Sequence, residues 1–140
     1  MAATYTITHD KGTSFTFYAL YKDATGDAIN LAGQSARMQI RRSPNDTEMA
    51  LFVTGSGVTS GGSTGEFSGT GGVGGTGGIT LNASSSGAAG TNGGVYIEFD
   101  AASSAFLPTG RMFYDIELIN GEEVTRLVEG RFEATANVTR

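Results

Sequence analysis

The sequence predicts an all-β sandwich of about eight strands. The clearest sign is Arg111–Arg140, where two stretches with a period of two flank Asn120-Gly121, a dipeptide typical of a tight hairpin turn. Similar alternating stretches recur along the chain, with turn residues between them. Only one short stretch, 100–108, has the pattern of a helix. Together these observations favour a β-sandwich or an allied small barrel.

Four strands are predicted in the first 54 residues. They cover Thr4–His9, Thr13–Tyr21, Gln34–Arg42 and Glu48–Thr54. In the third of them, Ala36, Met38 and Ile40 alternate with polar residues, which predicts one buried face. The connection Lys22–Asn30 is rich in turn residues, and we expect Ile29 and Leu31 to close the end of the core.

The pattern resumes near the end of the chain. Val95–Phe99 predicts a strand, and Asp100 is placed to cap a single helical turn that Pro108 and Gly110 end. The closing hairpin follows, with one apolar phase in each arm. The expected inward residues are Met112, Tyr114, Ile116 and Leu118 in the first arm, and Val124, Val128, Phe132, Ala134, Ala136 and Val138 in the second.

Length and composition exclude several classes of protein. A chain of 140 residues can bury one core, so we expect a single domain over residues 1–140. It has no cysteine, which fits a protein made in a reducing cytoplasm. The formal net charge of -5 argues against a nucleic-acid partner. No apolar run approaches the roughly 18–20 residues that span a bilayer, and no secretion signal is recognisable at the N-terminus. We therefore expect no membrane association.

Residues 55–94 are the anomaly, because they hold 16 of the 22 glycines and a single charge, Glu66. This insertion has three interpretations: a flexible surface loop, an ordered loop packed against other subunits, or a phosphate cradle. The third is disfavoured because no GxxxxGK[ST] motif occurs and the GxGxxG-like spacing at 72–77 opens no helix. We adopt the second, which makes the protein part of an assembly.

No catalytic residue is predicted. His9 is the only histidine, at a strand end, and we expect it to be solvated. Asp115 and Glu117 share one face of a strand, which suits either acid–base chemistry or an outward row paired with Arg126 or Arg131. We favour the outward row.

No metal or cofactor site is predicted either. Asp23, Thr25, Asp27 and Asn30 offer oxygen atoms around one turn, but their spacing departs from that of a calcium-binding loop. Arg37, Arg41 and Arg42 are expected to pair with nearby acids on the sheet surface.

Several segments, taken in their order and spacing, resemble a known family. They are Asp10–Phe15, Ile29–Gly33, Ala36–Arg41, Tyr114–Leu118, Val124–Gly130 and Val138–Arg140. The pattern is similar to the N-terminal domain of the baseplate upper protein of tailed bacteriophages, and to small virion proteins built on it. The resemblance covers the chain outside residues 55–94. It implies an immunoglobulin-like β-sandwich that attaches parts to a virion, without catalytic residues.

The expected function is therefore that of a non-enzymatic virion protein, most simply a tail or baseplate component, made in the host bacterial cytoplasm. A capsid decoration protein and a carbohydrate-binding or host-adhesion module are the alternatives. The partners would be other virion proteins and copies of itself in a symmetric assembly. The predicted interface residues are Gly57, Gly61, Gly62, Glu66, Phe67, Gly72, Val73, Gly77, Tyr96 and Phe113.

Overall fold

The computed structural model contains two β-sheets packed as a sandwich and one short helix, which confirms the predicted fold class. It describes residues 3–43, 45, 48–54, 57–64, 73–75, 77–105 and 107–136. The strands are β1 (Ala3–Thr4), β2 (Ile7–Asp10), β3 (Phe15–Leu20), β4 (Ser35–Arg41), β5 (Glu48–Thr54), β6 (Gly57–Thr64), β7 (Val73–Gly75), β8 (Gly77–Leu81), β9 (Gly94–Phe99), β10 (Gly110–Asn120) and β11 (Glu123–Thr135).

The larger sheet has the order β1-β11-β10-β4-β5-β6-β7, and β2 also pairs with β11. The smaller sheet has the order β3-β9-β8. Strands β11, β10, β4, β5 and β6 thus occupy positions G, F, C, C′ and C″ of a variable-type immunoglobulin sandwich, and β3, β9 and β8 occupy B, E and D. Both N-terminal strands run parallel to β11, whereas the other pairings are antiparallel.

The core lies between the sheets and follows the alternation expected from the sequence. In β4, Ala36, Met38 and Ile40 are buried, and in β10 the inward set from Met112 to Leu118 is buried as predicted. Leu31 is also buried, and Ile29 packs against the core, so the connection after β3 closes one end of the sandwich as expected.

The final hairpin is present, but its turn and its second arm differ from the prediction. Asn120 is paired with Glu123, so the turn residues are Gly121 and Glu122, and Gly121 takes the positive φ of 63°. A bulge between Ile116 and Glu117 in the β10–β11 pairing then changes the phase of the second arm. As a result Val124, expected to be inward, is 49% exposed.

The glycine-rich stretch was expected to be a loop. This was wrong for residues 57–64, 73–75 and 77–81, which are strands, whereas residues 82–93 form a connection without a named strand. Strand β6 pairs with β5, β7 pairs with β6, and β8 pairs with β9. The chain therefore passes from the larger sheet at Gly75 to the smaller sheet at Gly77. Ile79 of β8 is buried in the core. Backbone pairing needs no apolar side chains, so glycine, serine and threonine can supply sheet without showing its usual pattern.

Helix α1 (Ala101–Ala105) is the predicted helical turn. Asp100 caps it, because its carboxylate Oδ1 accepts a hydrogen bond of 2.9 Å from the backbone N–H of Ser103. Among the described residues, no helix is long and apolar enough to cross a bilayer.

Candidate functional site

The outward face of the larger sheet is the most strongly patterned surface of the molecule. The register of β4, β10 and β11 places their outward side chains in rows that cross these strands. The rows are Arg41–Phe113–Arg131, Gln39–Asp115–Glu129 and Arg37–Glu117–Arg126. The first row is basic around an aromatic ring, the second is acidic, and the third is mixed. We call this surface the row face.

Ion pairs hold the third row together and connect it to the second. Arg37 Nε lies 2.8 Å from Glu117 Oε1. Arg126 is shared, with its guanidinium 3.4 Å from Asp115 and 3.6 Å from Glu117. Its side chain is 48% exposed, so each contact adds little to stability. The prediction that Asp115 and Glu117 form an outward row paired with Arg126 agrees with this arrangement.

The Asp115 carboxyl group, on the row face, has a raised pKa. Burial raises this pKa, and the neighbouring charge of Glu117 raises it further, while Arg126 opposes both effects. The Asp115 carboxylate is therefore already partly withdrawn from water on the row face.

A cleft of about 610 Å³ opens on the row face beside the N-terminal segment. Thr4 and Thr6 form one wall, and Arg41 and Arg131 lie on either side of the half-buried Phe113. Arg131 is exposed and forms no salt bridge with any described residue. The cleft therefore presents an aromatic surface next to an arginine that can pair with an incoming carboxylate.

A hydrogen bond from a side chain to the backbone holds the N-terminal segment beside the cleft. The Tyr114 hydroxyl donates a hydrogen bond of 2.7 Å to the carbonyl oxygen of Tyr5, and burial raises the pKa of that hydroxyl. Gly130 lies opposite, and a β-carbon there would run into the same carbonyl group. Glycine at position 130 is therefore what allows the N-terminal segment to approach β11 closely.

The predicted interface residues do not form one surface. Gly57, Gly61 and Gly62 lie in β6 and Val73 in β7, at the far edge of the larger sheet. Phe113 lies on the row face and Tyr96 on the outward face of the smaller sheet. Glu66, Phe67 and Gly72 fall outside the described residues.

Gly77, another predicted interface residue, has an internal role. A β-carbon at this position would overlap the carbonyl of Glu98, and its φ is 141°. Glycine is therefore needed for β8 to approach β9 where the chain enters the smaller sheet. Its participation in an interface stays a prediction.

Two of the aromatic residues that are scattered in the sequence meet in the fold. Tyr18 and Tyr96 are cross-strand neighbours in the β3–β9 pair, and both are half-buried. Gly87 lies against the Tyr96 ring, because a β-carbon there would be 2.9 Å from a ring carbon. Phe113 lies on the opposite side of the sandwich.

The prediction that His9 is solvated was wrong. Its imidazole is 8% exposed and lies among Phe15, Phe99 and Phe132. The ring nitrogen Nε2 is 2.8 Å from the hydroxyl of Ser104 in α1, a contact between residues 95 apart in sequence. The Ser104 side chain is also buried, so this histidine–serine pair joins β2 to α1 and is not open to a substrate.

The oxygen atoms around the turn after β3 serve the turn itself. Asp23 Oδ1 accepts hydrogen bonds from the backbone N–H and the hydroxyl of Thr25, and from the N–H of Asp27. The Thr25 hydroxyl is the main cause of a lowered Asp23 pKa. Among the described residues, no group of three or more histidine, cysteine or acidic side chains is placed to hold a metal ion.

Asn82 is an organising residue that sequence reasoning missed. Its side-chain oxygen accepts from the backbone N–H groups of Leu31 and Gly93, and its amide donates 2.8 Å to the Asn30 side chain. It thus ties the connection after β3 to the connection after β8. Its φ is 54°, a conformation that asparagine tolerates better than most residues, but the sequence around it gives no signal of its distant partners.

Comparison with known proteins gave no further information. The sequence matches no family model, and no curated protein matches it significantly.

Proposed function

We propose that this protein is a non-enzymatic structural protein of a tailed-phage particle, an assembly module of the tail or baseplate. The observation that carries the proposal is where the family-like segments lie. Ala36–Arg41, Tyr114–Leu118 and Val124–Gly130 fall on the adjoining strands β4, β10 and β11. Their outward side chains build most of the row face and much of its cleft. The resemblance and the most patterned surface therefore coincide.

The mechanism of attachment is packing. A partner covers the row face, places a carboxylate against Arg131 and an apolar group against Phe113, and leaves the partly desolvated Asp115 beside Arg126. Sheet edges, including the edge made by β6 and β7, offer backbone groups for strand addition by other virion proteins or by copies of this chain. Repetition around a symmetric particle makes contacts that are individually weak strong together.

The test is incorporation into particles. Phage whose genome encodes this chain is purified by density gradient, separated into heads and tails, and each fraction is quantified by mass spectrometry. Enrichment in tails supports the proposal, and enrichment in heads supports the capsid decoration alternative instead. Absence from washed particles, with the protein present in the lysate, would contradict both.

A matched pair of variants tests the row face. Phe113→Ser with Arg131→Glu removes the aromatic surface and reverses the charge of the cleft, so we expect at least a roughly tenfold loss of incorporation. Thr80→Lys is the control, because Thr80 is exposed on β8 of the other sheet. Equal incorporation of both variants would exclude the row face as the attachment surface.

A further inference from the structure

Strand β3 is an edge of the smaller sheet with no neighbouring strand in the described part of the chain. The order of that sheet is β3-β9-β8, so only one side of β3 is paired. The N-terminal strands β1 and β2, which come before it in the sequence, both pair with β11 in the larger sheet. The outer side of β3 is therefore available to a further strand.

The register identifies which backbone groups point outward. The N–H of Tyr21 donates to the carbonyl of Gly93 at 2.7 Å, towards β9. Backbone groups of an antiparallel strand alternate in direction, so Phe15, Phe17 and Ala19 also bond towards β9. Those of Thr16, Tyr18 and Leu20 point away from it. No hydrogen bond from another described residue reaches the N–H and C=O groups of these last three residues.

This edge lacks the features that usually prevent strand addition. Phe15–Leu20 contains no charged residue and no proline, and its pairing with β9 has no register shift. The other edges are less open to a new strand. The N-terminal edge is interrupted at Tyr5-Thr6, β7 is three residues long, and β8 begins with two glycines. Among the described edge strands of more than three residues, β3 is the one without charge, proline, glycine or a register shift.

We propose that the β3 edge pairs with β3 of a second copy of this chain, antiparallel and across a twofold axis. The inference rests on the proposed function, which includes contacts between copies among the contacts of the assembly, and it names the edge that makes them. With the axis at Tyr18, each Tyr18 faces the same residue of the partner, and Thr16 faces Leu20 of the partner subunit. Every outward N–H and C=O group of these residues then finds a partner.

The side chains of β3 favour a second copy of the chain as the pairing partner. Thr16, Tyr18 and Leu20 share the outward face of the smaller sheet, and Leu20 is 41% exposed. Pairing places two tyrosine rings side by side and each leucine beside a threonine, which are favourable cross-strand pairs. Because β3 carries no charge, the pairing brings no like charges together, although the chain has a net charge of -5. Tyr5, which is 55% exposed and packs on Phe17, borders the edge.

The experiment substitutes Tyr18, which faces the same residue of the second copy across the proposed axis. Tyr18→Lys and Tyr18→Glu each place like charges opposite one another, so each variant is expected to associate about tenfold more weakly than the wild type. An equimolar mixture of the two brings lysine opposite glutamate and is expected to restore the dimer. Solution mass by light scattering is measured for each variant and for the mixture. Thr80→Lys and Thr80→Glu, on the same face but at the other edge, are the matched controls.

Amide hydrogen exchange on the wild type gives a readout that needs no substitution. The Tyr18 amide is expected to exchange roughly tenfold more slowly in the dimer than after dilution to the monomer. The proposal is overturned by a monomeric wild type at high concentration, by a mixture of folded variants that stays monomeric, or by a dimer whose Tyr18 amide exchanges freely. Particle incorporation without dimerisation would overturn this inference and leave the proposed function intact.

Discussion

His9 shows how one buried polar side chain makes a protein sensitive to pH. Desolvation lowers its pKa below the ordinary value of 6.5, although the Thr13 carbonyl and Asp10 act in the opposite direction. The aromatic rings around it leave little room for the water that would hydrate an imidazolium. Neutral histidine therefore belongs to the folded state.

The sign of the pH dependence follows directly. The unfolded chain binds a proton at His9 more readily than the folded chain does, so stability is complete above pH 6.5 and is lost as the pH falls from 6.5 towards the lower folded pKa. We expect the free energy of unfolding in urea to be nearly constant above pH 6.5 as far as His9 is concerned, and to fall as the pH is lowered from 6.5 to about 5.5. His9→Gln should be less stable at the higher pH but show a flatter dependence. Equal slopes for both proteins would contradict this origin.

Ser103 and Ser104 are adjacent on α1 and differ in what their hydroxyls contact. Ser104 Oγ meets the His9 ring and accepts a 3.0 Å hydrogen bond from the N–H of Gly12. Ser103 Oγ is buried and has no hydrogen-bond partner among the described residues. We expect Ser104→Ala to cost about 1–3 kcal/mol and Ser103→Ala to be neutral or stabilising. Thermal denaturation of both variants checks this, and an equal loss in both would contradict it.

At the scale of elements, the glycine-rich strands β6, β7 and β8 extend the two sheets although their sequences lack the usual alternation of apolar residues. Strand β6 extends the larger sheet beyond β5, and β8 contributes Ile79 to the core. Backbone hydrogen bonds pair all three strands, and close approach at Gly77 brings β8 against β9.

Deletion of Gly57–Gly77 is therefore expected to damage the fold. It removes β6 and β7 and the crossing to β8, so we expect the melting temperature to fall by roughly 10 °C or more. Thr80→Lys, an exposed substitution on β8, is the control and should leave the melting temperature nearly unchanged. A deletion of Gly57–Gly77 that melts like the wild type would mean that these strands add little stability.

The sequence predicted the strands in which apolar residues alternate with polar ones and the apolar face is buried in the fold. The alternation in Ala36–Ile40 and Met112–Leu118 was sufficient because one face of each strand is buried. The glycine-rich strands carry no such pattern, and the bulge that exposes Val124 has no local signal. His9 and Asn82 were missed because their partners lie far away in the sequence.

The row face was predictable only in part. The pairing of Asp115 and Glu117 with Arg126 follows from the hairpin, whereas the placement of Arg41 and Arg131 around Phe113 depends on which strand lies beside β10. A period of two gives the face on which a side chain lies but not its neighbours on other strands.

At the scale of the whole molecule, the last strand closes the fold. Strand β11 pairs with β10 on one side and with β1 and β2 on the other, with pairs such as Ile7 and Phe132 between residues 125 apart. Such contacts form only after almost the entire chain is available.

Truncation tests this dependence. A chain ending at Glu122 keeps ten of the strands but loses the partner of β1, β2 and β10, so we expect it to be unfolded and rapidly digested by protease. A chain ending at Ala136 keeps all the described strands and should resist digestion like the wild type. Protease resistance of the shorter chain would show that the remaining strands fold without β11.

The parallel pairing of the first and last strands also sets how the molecule bears load. Ala3 lies beside Val128 and Asp10 beside Thr135, so the first and last described residues lie at opposite ends of the same ladder. Tension between residues 3 and 136 pulls the strands along their length and loads their hydrogen bonds together, rather than opening them one at a time. A module connected through its two ends would therefore resist stretching along the direction of its terminal strands.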